Sequence, residues 1–395
     1  MNEFPINNTK VSLLTGLCRN ILKRETDKET IKSALEEAGM ITPLEALAVL
    51  EQIIVLSDEM QGKKQYIAKT LNILNEGLRE FIWEPDEENS FLMNMIAENC
   101  EIKKCLEKIK RQLKKESKKG VVKVRDMGDL LDRILELDDL KNHYLKKENI
   151  LFPIMEKKGG DLGCLPVMWS IHDDVRKCLK ELKELRKSKE IDMVSFNRMV
   201  GELFFSVYAM IYRENRILFP AAHLILTARE WEQMHKESFD IGFSFIRPEQ
   251  ESSEEDEVGN IVNKALVELS TGTLDSEVLE LLINTLPLDV TYIDEKNKVK
   301  YFSQPRDRIF TRSKAVLGRD VRNCHPPESL EKVDRIIASF RNGASDKESF
   351  RIHYRNRYIL IEYYPIKKKN GEYKGVLEVT MDITDIHKME GEKRL

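Results

Sequence analysis

The segment His143-Tyr-Leu-Lys-Lys-Glu-Asn-Ile-Leu-Phe-Pro153 is echoed by Met210-Ile-Tyr-Arg-Glu-Asn-Arg-Ile-Leu-Phe-Pro220. Between them lies a second histidine in a helical setting, Trp169-Ser-Ile-His172-Asp173. Residues four apart share one helical face, which groups His143 with Lys147 and Met210 with Glu214. Further along, Cys324-His325-Pro326-Pro327 brings a thiol and an imidazole together. That cluster could supply a haem axial ligand or a redox-sensitive thiol. It could equally be a turn, since two prolines set the chain to enter the following helix without helical hydrogen bonds. The six cysteines (18, 100, 105, 164, 178 and 324) form no CxxC pair and no disulfide-scaffold spacing, which fits reduced intracellular thiols. Nothing has the form of a phosphate loop, a nucleophile elbow or a zinc-hydrolase motif, so catalysis is not expected.

The elements that must position these residues fall into two helical parts and a strand-rich one. Leu13, Leu14, Leu17, Ile21 and Leu22 recur at helical spacing, and Thr42-Pro43 reads as a capped helix start. The polar stretch from Trp83 to Ser90 closes this first part, residues 1–83. Over residues 91–245 four long periodic stretches follow, Phe91–Lys119, Arg125–Lys157, Pro166–Lys187 and Met193–Ile225. Short joints between them specify an up-down-up-down bundle. A fifth helix opens on the Thr227/Glu230 capping box. Residues 246–260 carry six acidic side chains, one basic and almost no apolar surface, so this segment reads as a flexible linker. In residues 261–395 the period changes to two. Val290–Asp294, Val299–Ser303, Phe350–Tyr354, Tyr358–Tyr364 and Tyr373–Asp382 read as strands, with Asn370-Gly371 as a hairpin turn. The fold class is multidomain: mainly α, with a C-terminal α+β domain.

The chain has 395 residues, 41% hydrophobic and 33% charged, which is enough for two or three domains with buried cores. Lys+Arg 64 against Asp+Glu 68 gives a net charge of −4, against a nucleic-acid binder held mainly by charge. The nine basic residues of Lys103–Lys119 are interleaved with Glu101, Glu107 and Glu116 and read as a solvated helix face. No basic-then-apolar signal segment opens the sequence. The longest uncharged run near the middle, Leu203 to Tyr212, is too short to span a bilayer. A cytoplasmic location without membrane contact is the expectation. Phe204, Phe205, Tyr208 and Tyr212 read as core packing.

On these residues the C-terminal part resembles a PAS domain, through "LPLDVTYIDEKNKVKYFSQ", "VLGRDVRNCHPPES" and "GEYKGVLEVTMDIT", spanning Thr273 to His387. The resemblance places Cys324 and His325 at a candidate PAS pocket. It also implies that Asp382-Ile383-Thr384 leads into an outgoing signalling helix, which Thr384 could cap. The echoing segments make the central block resemble the hemerythrin-like (HHE) cation-binding domain, a four-helix bundle. The N-terminal helices resemble the domain of unknown function found before such modules. The hemerythrin resemblance implies about five His and two bridging carboxylates around two irons. Here Lys147 stands where a Glu is expected after His143, while Met210 and Met168 replace histidines. His143, His172, Glu98, Glu148 and Glu214 are what remains as ligand-capable.

Three readings stay open: a di-iron centre, a mononuclear non-haem iron or a haem held by His143 and His172, and no cofactor at all, with the histidines merely hydrogen-bonded. The first is disfavoured by Lys147, since a cation beside a di-iron centre is unfavourable. The expected function is a sensory or regulatory protein in which the bundle senses iron, haem, a diatomic gas or redox state and the PAS domain relays it. The alternative is an iron- or haem-storage or detoxification protein using PAS for dimerisation. Output is expected through an unidentified protein effector or a homodimer. The apolar stripe Val258, Ile261, Val262, Ala265, Leu266 and Leu269 is expected to form a dimerising helix.

Overall fold

The computed structural model describes residues 6–25, 27–115, 120–160, 162–248, 266–389 and 391. The chain divides into two compact units, Met1–Pro248 and Glu249–Leu395.

In the first unit, helices α1 (Asn8–Lys23), α2 (Lys28–Ala38), α3 (Pro43–Ile54) and α4 (Met60–Glu80) precede the bundle. Thr42 caps α3 as its sequence suggests: its hydroxyl accepts from Glu45 N while Glu45 accepts from Thr42 N, with Pro43 in the first turn. These helices and the bundle share one hydrophobic core, which runs from Leu14, Ile53 and Leu74 to Leu92, Ile150 and Phe219. Polar links tie the same surfaces. Glu51 of α3 accepts from the N–H groups of Gly163 and Cys164 at 2.8 and 2.9 Å, capping a bundle helix from outside it. Gly163 permits that approach, because a Cβ there would lie 2.6 Å from the Ile54 side chain.

The first bundle helix is Ser90–Lys115 and the third is Cys164–Leu185. The second and fourth are segmented. The second runs through Gly128–Leu135, a 3-10 turn at Glu136–Asp139, Leu140–Lys146, a π turn at Lys147–Leu151 and Phe152–Gly159. The fourth runs through Met193–Arg213, a π turn at Glu214–Leu218 and Phe219–Ile225. Both π turns sit just before the prolines of the echo, Pro153 and Pro220. A proline ring collides with the carbonyl four residues back, and a π turn slips the ladder past it. A short antiparallel pair, β1 (Val121–Lys123) with β2 (Glu190–Asp192), clips the joints at one end. The fifth helix, Ala228–Ile241, starts on the Thr227/Glu230 capping box.

The second unit opens with a hairpin of β3 (Leu266–Leu269) and β4 (Gly272–Asp275). This corrects the helix expected over Val258–Leu269: its described part is a strand, and residues 258–265 lie outside the described residues. The turn-forming Ser270-Thr271-Gly272 and β-branched Val267 outweigh a stripe read at helical spacing. Most of the acidic segment 246–260 likewise lies outside the described residues. Strands β5 (Asp289–Asp294), β6 (Val299–Phe302), β7 (Glu348–Tyr354), β8 (Arg357–Lys367) and β9 (Tyr373–Asp382) form an antiparallel sheet in the order β6-β5-β9-β8-β7. The helix Leu330–Arg341 contributes Ile336, Ile337 and Phe340 to its core, with Ile293, Val299 and Val376. Gly375 is obligatory in β9: at φ 131° a Cβ would stand 2.0 Å from the Ile293 carbonyl oxygen. Thr384 does not begin an α-helix among the described residues. Its hydroxyl accepts from Tyr358 N at 2.8 Å and donates to Asp382 Oδ1, and only a 3-10 turn at Ile386–Lys388 follows.

Candidate functional site

Four bundle helices surround a buried ionic core. His143, on the second helix, is held through both ring nitrogens: Nδ1 lies 2.7 Å from Glu98 Oε2 on the first helix, and Nε2 lies 3.0 Å from Glu214 Oε2 on the fourth. Ser244 fixes the backbone there. Its hydroxyl donates to Asp139 O at 2.5 Å and accepts from His143 N at 2.9 Å, bridging the helical ladder. The two carboxylates are further engaged by cations and amides. Lys146 donates to Glu98 Oε1, which also accepts from Ser244 N at 2.8 Å. Lys147 donates to Glu214 Oε1, and Asn99 donates to Glu214 Oε2 at 2.8 Å.

Lys147 and Glu214 are both fully buried, at 0% exposure. Burial pushes the Glu214 carboxyl up, but Lys147 and His143 more than reverse this and hold it at about 2. Burial lowers the Lys147 ammonium, with Glu214 opposing. Glu98 is also held below the ordinary carboxylate range: burial is outweighed by His143 and Lys146.

His172 belongs to a neighbouring network. Its Nδ1 lies 2.7 Å from Glu148 Oε1, and Arg176 donates to both Glu148 oxygens at 2.8 Å. The ring stacks on Tyr144 at 4.0 Å and lies parallel to Phe152 at 6.2 Å. Burial pulls the His172 imidazole well below its usual value, and Nε2 has no hydrogen-bond partner. Burial lifts the Glu148 carboxyl to about 7, with Arg176 opposing. Glu148 is thus buried and turned to the third helix, away from Glu98 and Glu214. His143 and His172 are both interior, but they have separate partners.

Residues 90–222 match the family model described as "Hemerythrin HHE cation binding domain". Residues 279–384 match the one described as "PAS domain". The chain therefore joins a hemerythrin-type bundle to a PAS domain, a combination that fits a sensory role. A curated relative, the iron-sulfur cluster repair protein YtfE of Musicola paradisiaca, is 33% identical over 96 residues, covering 22% of this chain and 43% of the relative. The matched part is less than half of that relative's length. Among solved structures, a C-terminal domain from Streptococcus mutans shows 26% identity over 32% of this chain and 98% of that one, with TM-score 0.31. A PAS domain from Colwellia psychrerythraea shows 18% identity over 28% and 97%, with TM-score 0.23. The family description names a cation-binding domain, and the relative's name refers to iron-sulfur cluster repair.

The residues present do not fit a di-iron centre. Among the described residues no group of three or more His, Cys, Asp or Glu is arranged to hold a metal ion. Glu98 and Glu214 are closed onto His143, and Lys146 and Lys147 already neutralise both carboxylates. Adding multivalent cations would leave buried positive charge uncompensated. Haem between the two histidines fits no better, because His143 Nε2 is engaged by Glu214 and the His172 ring is stacked on Tyr144. Met168 and Met210 pack in the core at the positions where the family pattern has histidines. The sequence reading recognised Lys147 but missed Lys146, Arg176, Tyr144 and Ser244. The Lys146-Lys147 doublet inside an otherwise apolar echo was the available signal for the first.

In the PAS domain, the core-facing side of β5 and β9 grades from apolar to polar along the register. Ile293 pairs with Val376, Thr291 with Glu378 and Asp289 with Thr380. Arg312 donates to Glu378 at 3.1 Å, and Asp289 accepts from the N–H groups of Ile309 and Phe310 at 3.0 and 3.2 Å. Cys324 donates its thiol to Asp320 O at 3.6 Å at the end of a 3-10 turn. His325 is lowered by burial, with Glu378 opposing. His325 is extended, and Pro327 starts a 3-10 turn leading into helix Leu330–Arg341, which is the turn geometry that two prolines favour. No helix among the described residues is long and apolar enough to cross a membrane.

Proposed function

We propose that the chain is a cytoplasmic sensory or regulatory protein, not an enzyme, whose hemerythrin-type bundle is held by ion pairs in place of metal. The PAS domain receives or relays the signal and passes it to a partner protein or a second copy. The observation that carries this reading is the seating of Lys146 on Glu98 and Lys147 on Glu214. A buried ammonium next to each carboxylate supplies the positive charge that a metal would otherwise bring. The polar grading of the PAS core supports a responsive pocket there, with Cys324 and His325 at its edge.

Anaerobic reconstitution of the full chain with ferrous iron, followed by desalting, metal analysis and a visible spectrum, tests the reading. It expects substoichiometric iron, no near-ultraviolet oxo bands and no Soret band after exposure to haem. Two irons per chain with oxo bands would overturn it. The similarity to an iron-sulfur cluster repair protein favours a second reading, iron handling by the bundle. That reading requires both lysines to leave their carboxylates, and the same spectrum decides it.

A further inference from the structure

Arg213 occupies the echo position of Lys146, yet the two cations have opposite fates. Lys146 has Glu98. Arg213 is 8% exposed, makes no hydrogen bond or ion pair with the described residues, and its Nε is buried without a partner. Burial alone, with no carboxylate opposing it, pulls its guanidinium down to about 10. An unpaired buried cation is costly, and folded proteins rarely keep one without a counter-charge.

The guanidinium lines a groove of about 610 Å³ between α4 and the third and fourth bundle helices, within the roughly 300–1,000 Å³ range of small-molecule sites. Ile171, Val175 and Leu203 form apolar wall, and Phe205, expected in the core, is 70% exposed at the groove. Lys64 is committed to Asp174 at 2.5 Å, and Glu181 and Glu202 of the lining form no pair with Arg213. A second recess that Arg213 also borders, among Leu47, Ile67, Leu71 and Met168, is only about 20 Å³ and too small for more than a water, so an apolar body must lie in the groove itself.

We propose that this groove binds a small monocarboxylate bearing an apolar body, its carboxylate paired with Arg213. A planar guanidinium offers two parallel N–H donors that match a carboxylate. Arg213 is the deeply buried cation of the lining, whereas Lys69 and Lys177 are exposed at its rim, so a single negative charge is matched beside the apolar wall and a phosphate dianion would be drawn to the rim instead. The site is distinct from the ionic core and lies where the N-terminal helices meet the bundle, so an occupant would tie the two together.

Isothermal titration of the full chain with octanoate, octan-1-ol and inorganic phosphate tests this. Octanoate is expected to bind one per chain, octan-1-ol at least tenfold more weakly, and phosphate not measurably. Arg213→Met should lose at least tenfold in octanoate affinity while raising the unfolding midpoint of the ligand-free protein, because an unpaired buried charge is gone. Ser206→Trp, which fills the groove from a partly exposed position, should block octanoate without lowering that midpoint. Equal binding of octanoate and octan-1-ol, no octanoate binding, phosphate binding as tight as octanoate, or unchanged affinity in either folded variant overturns the proposal.

Discussion

Replacing Lys147 by Met removes one partner of an ion pair in which both side chains are fully buried. The Met side chain fills similar volume, so the loss is electrostatic rather than a cavity. Glu214 would keep hydrogen bonds from Asn99 and contact with His143, at 2.8 and 3.0 Å, but lose its ammonium. Breaking a buried pair from one side costs about 3–5 kcal/mol, because the remaining charge stays desolvated. Against a typical total stability of roughly 5–15 kcal/mol, that is a large fraction. Glu214→Gln alone strands Lys147 in the same way and should cost a similar amount. The double variant Lys147→Met with Glu214→Gln removes both charges while the amide still serves Asn99 and His143. It should lie within about 2 kcal/mol of the wild type. Urea unfolding followed by far-ultraviolet circular dichroism gives all four corners of the cycle. Additive costs, or a single Lys147→Met loss under about 1 kcal/mol, would refute the idea that this pair holds the bundle core.

The acid side of the same pair gives a pH signature: Glu214 is held at about 2 in the fold, below its unfolded value near 4.3. Its contribution, about 3 kcal/mol, is present above the unfolded value and lost as pH falls towards 2, and in Lys147→Met this acid loss should shrink. Glu148 has the opposite sign, since its folded value of about 7 exceeds the unfolded one. Its effect is loss of stability as pH rises from about 4.3 to 7, and Glu148→Gln should flatten that limb of a urea-midpoint-against-pH curve. Lys147→Glu makes the echo positions 147 and 214 both carboxylates and should give the bundle measurable ferrous or manganous binding by titration; no gain in metal affinity would show that other substitutions closed the site. Gly375→Ala should destabilise the PAS unit by about 2 kcal/mol or more, lowering its thermal transition while leaving that of the helical unit in place.

Much of the architecture was legible because it rests on local rules. Thr42-Pro43 and Thr227/Glu230 cap helices by side-chain chemistry confined to one turn, and Asn370-Gly371 sits between β8 and β9 for the same reason. The apolar periodicities located all four bundle helices. What escaped was non-local. Glu51 capping the third bundle helix, Ser244 bridging Asp139 to His143, and Arg176 reaching Glu148 each join residues far apart in sequence. No periodicity encodes such pairs. The stripe Val258–Leu269 failed for a different reason: its described end is a strand, with Leu266 73% exposed, and a short apolar run cannot by itself separate helix from strand.

The echo explains why a family resemblance and a ligand set can part company. His143 aligns with Met210, Lys146 with Arg213 and Lys147 with Glu214, and each half then enters a π turn before its proline. The backbone repeat brings residues 147 and 214 into direct contact across the bundle. Two acids at such positions would repel unless a cation lay between them, which is the electrostatic condition for holding a metal. One acid and one base attract, and the pair closes on itself. A single change of sign at residue 147 therefore turns a place that needs a cation into one that contains its own. Arg213 shows the converse within the same repeat: where Lys146 found Glu98, its counterpart found no acid, and the need for a counter-charge there remains.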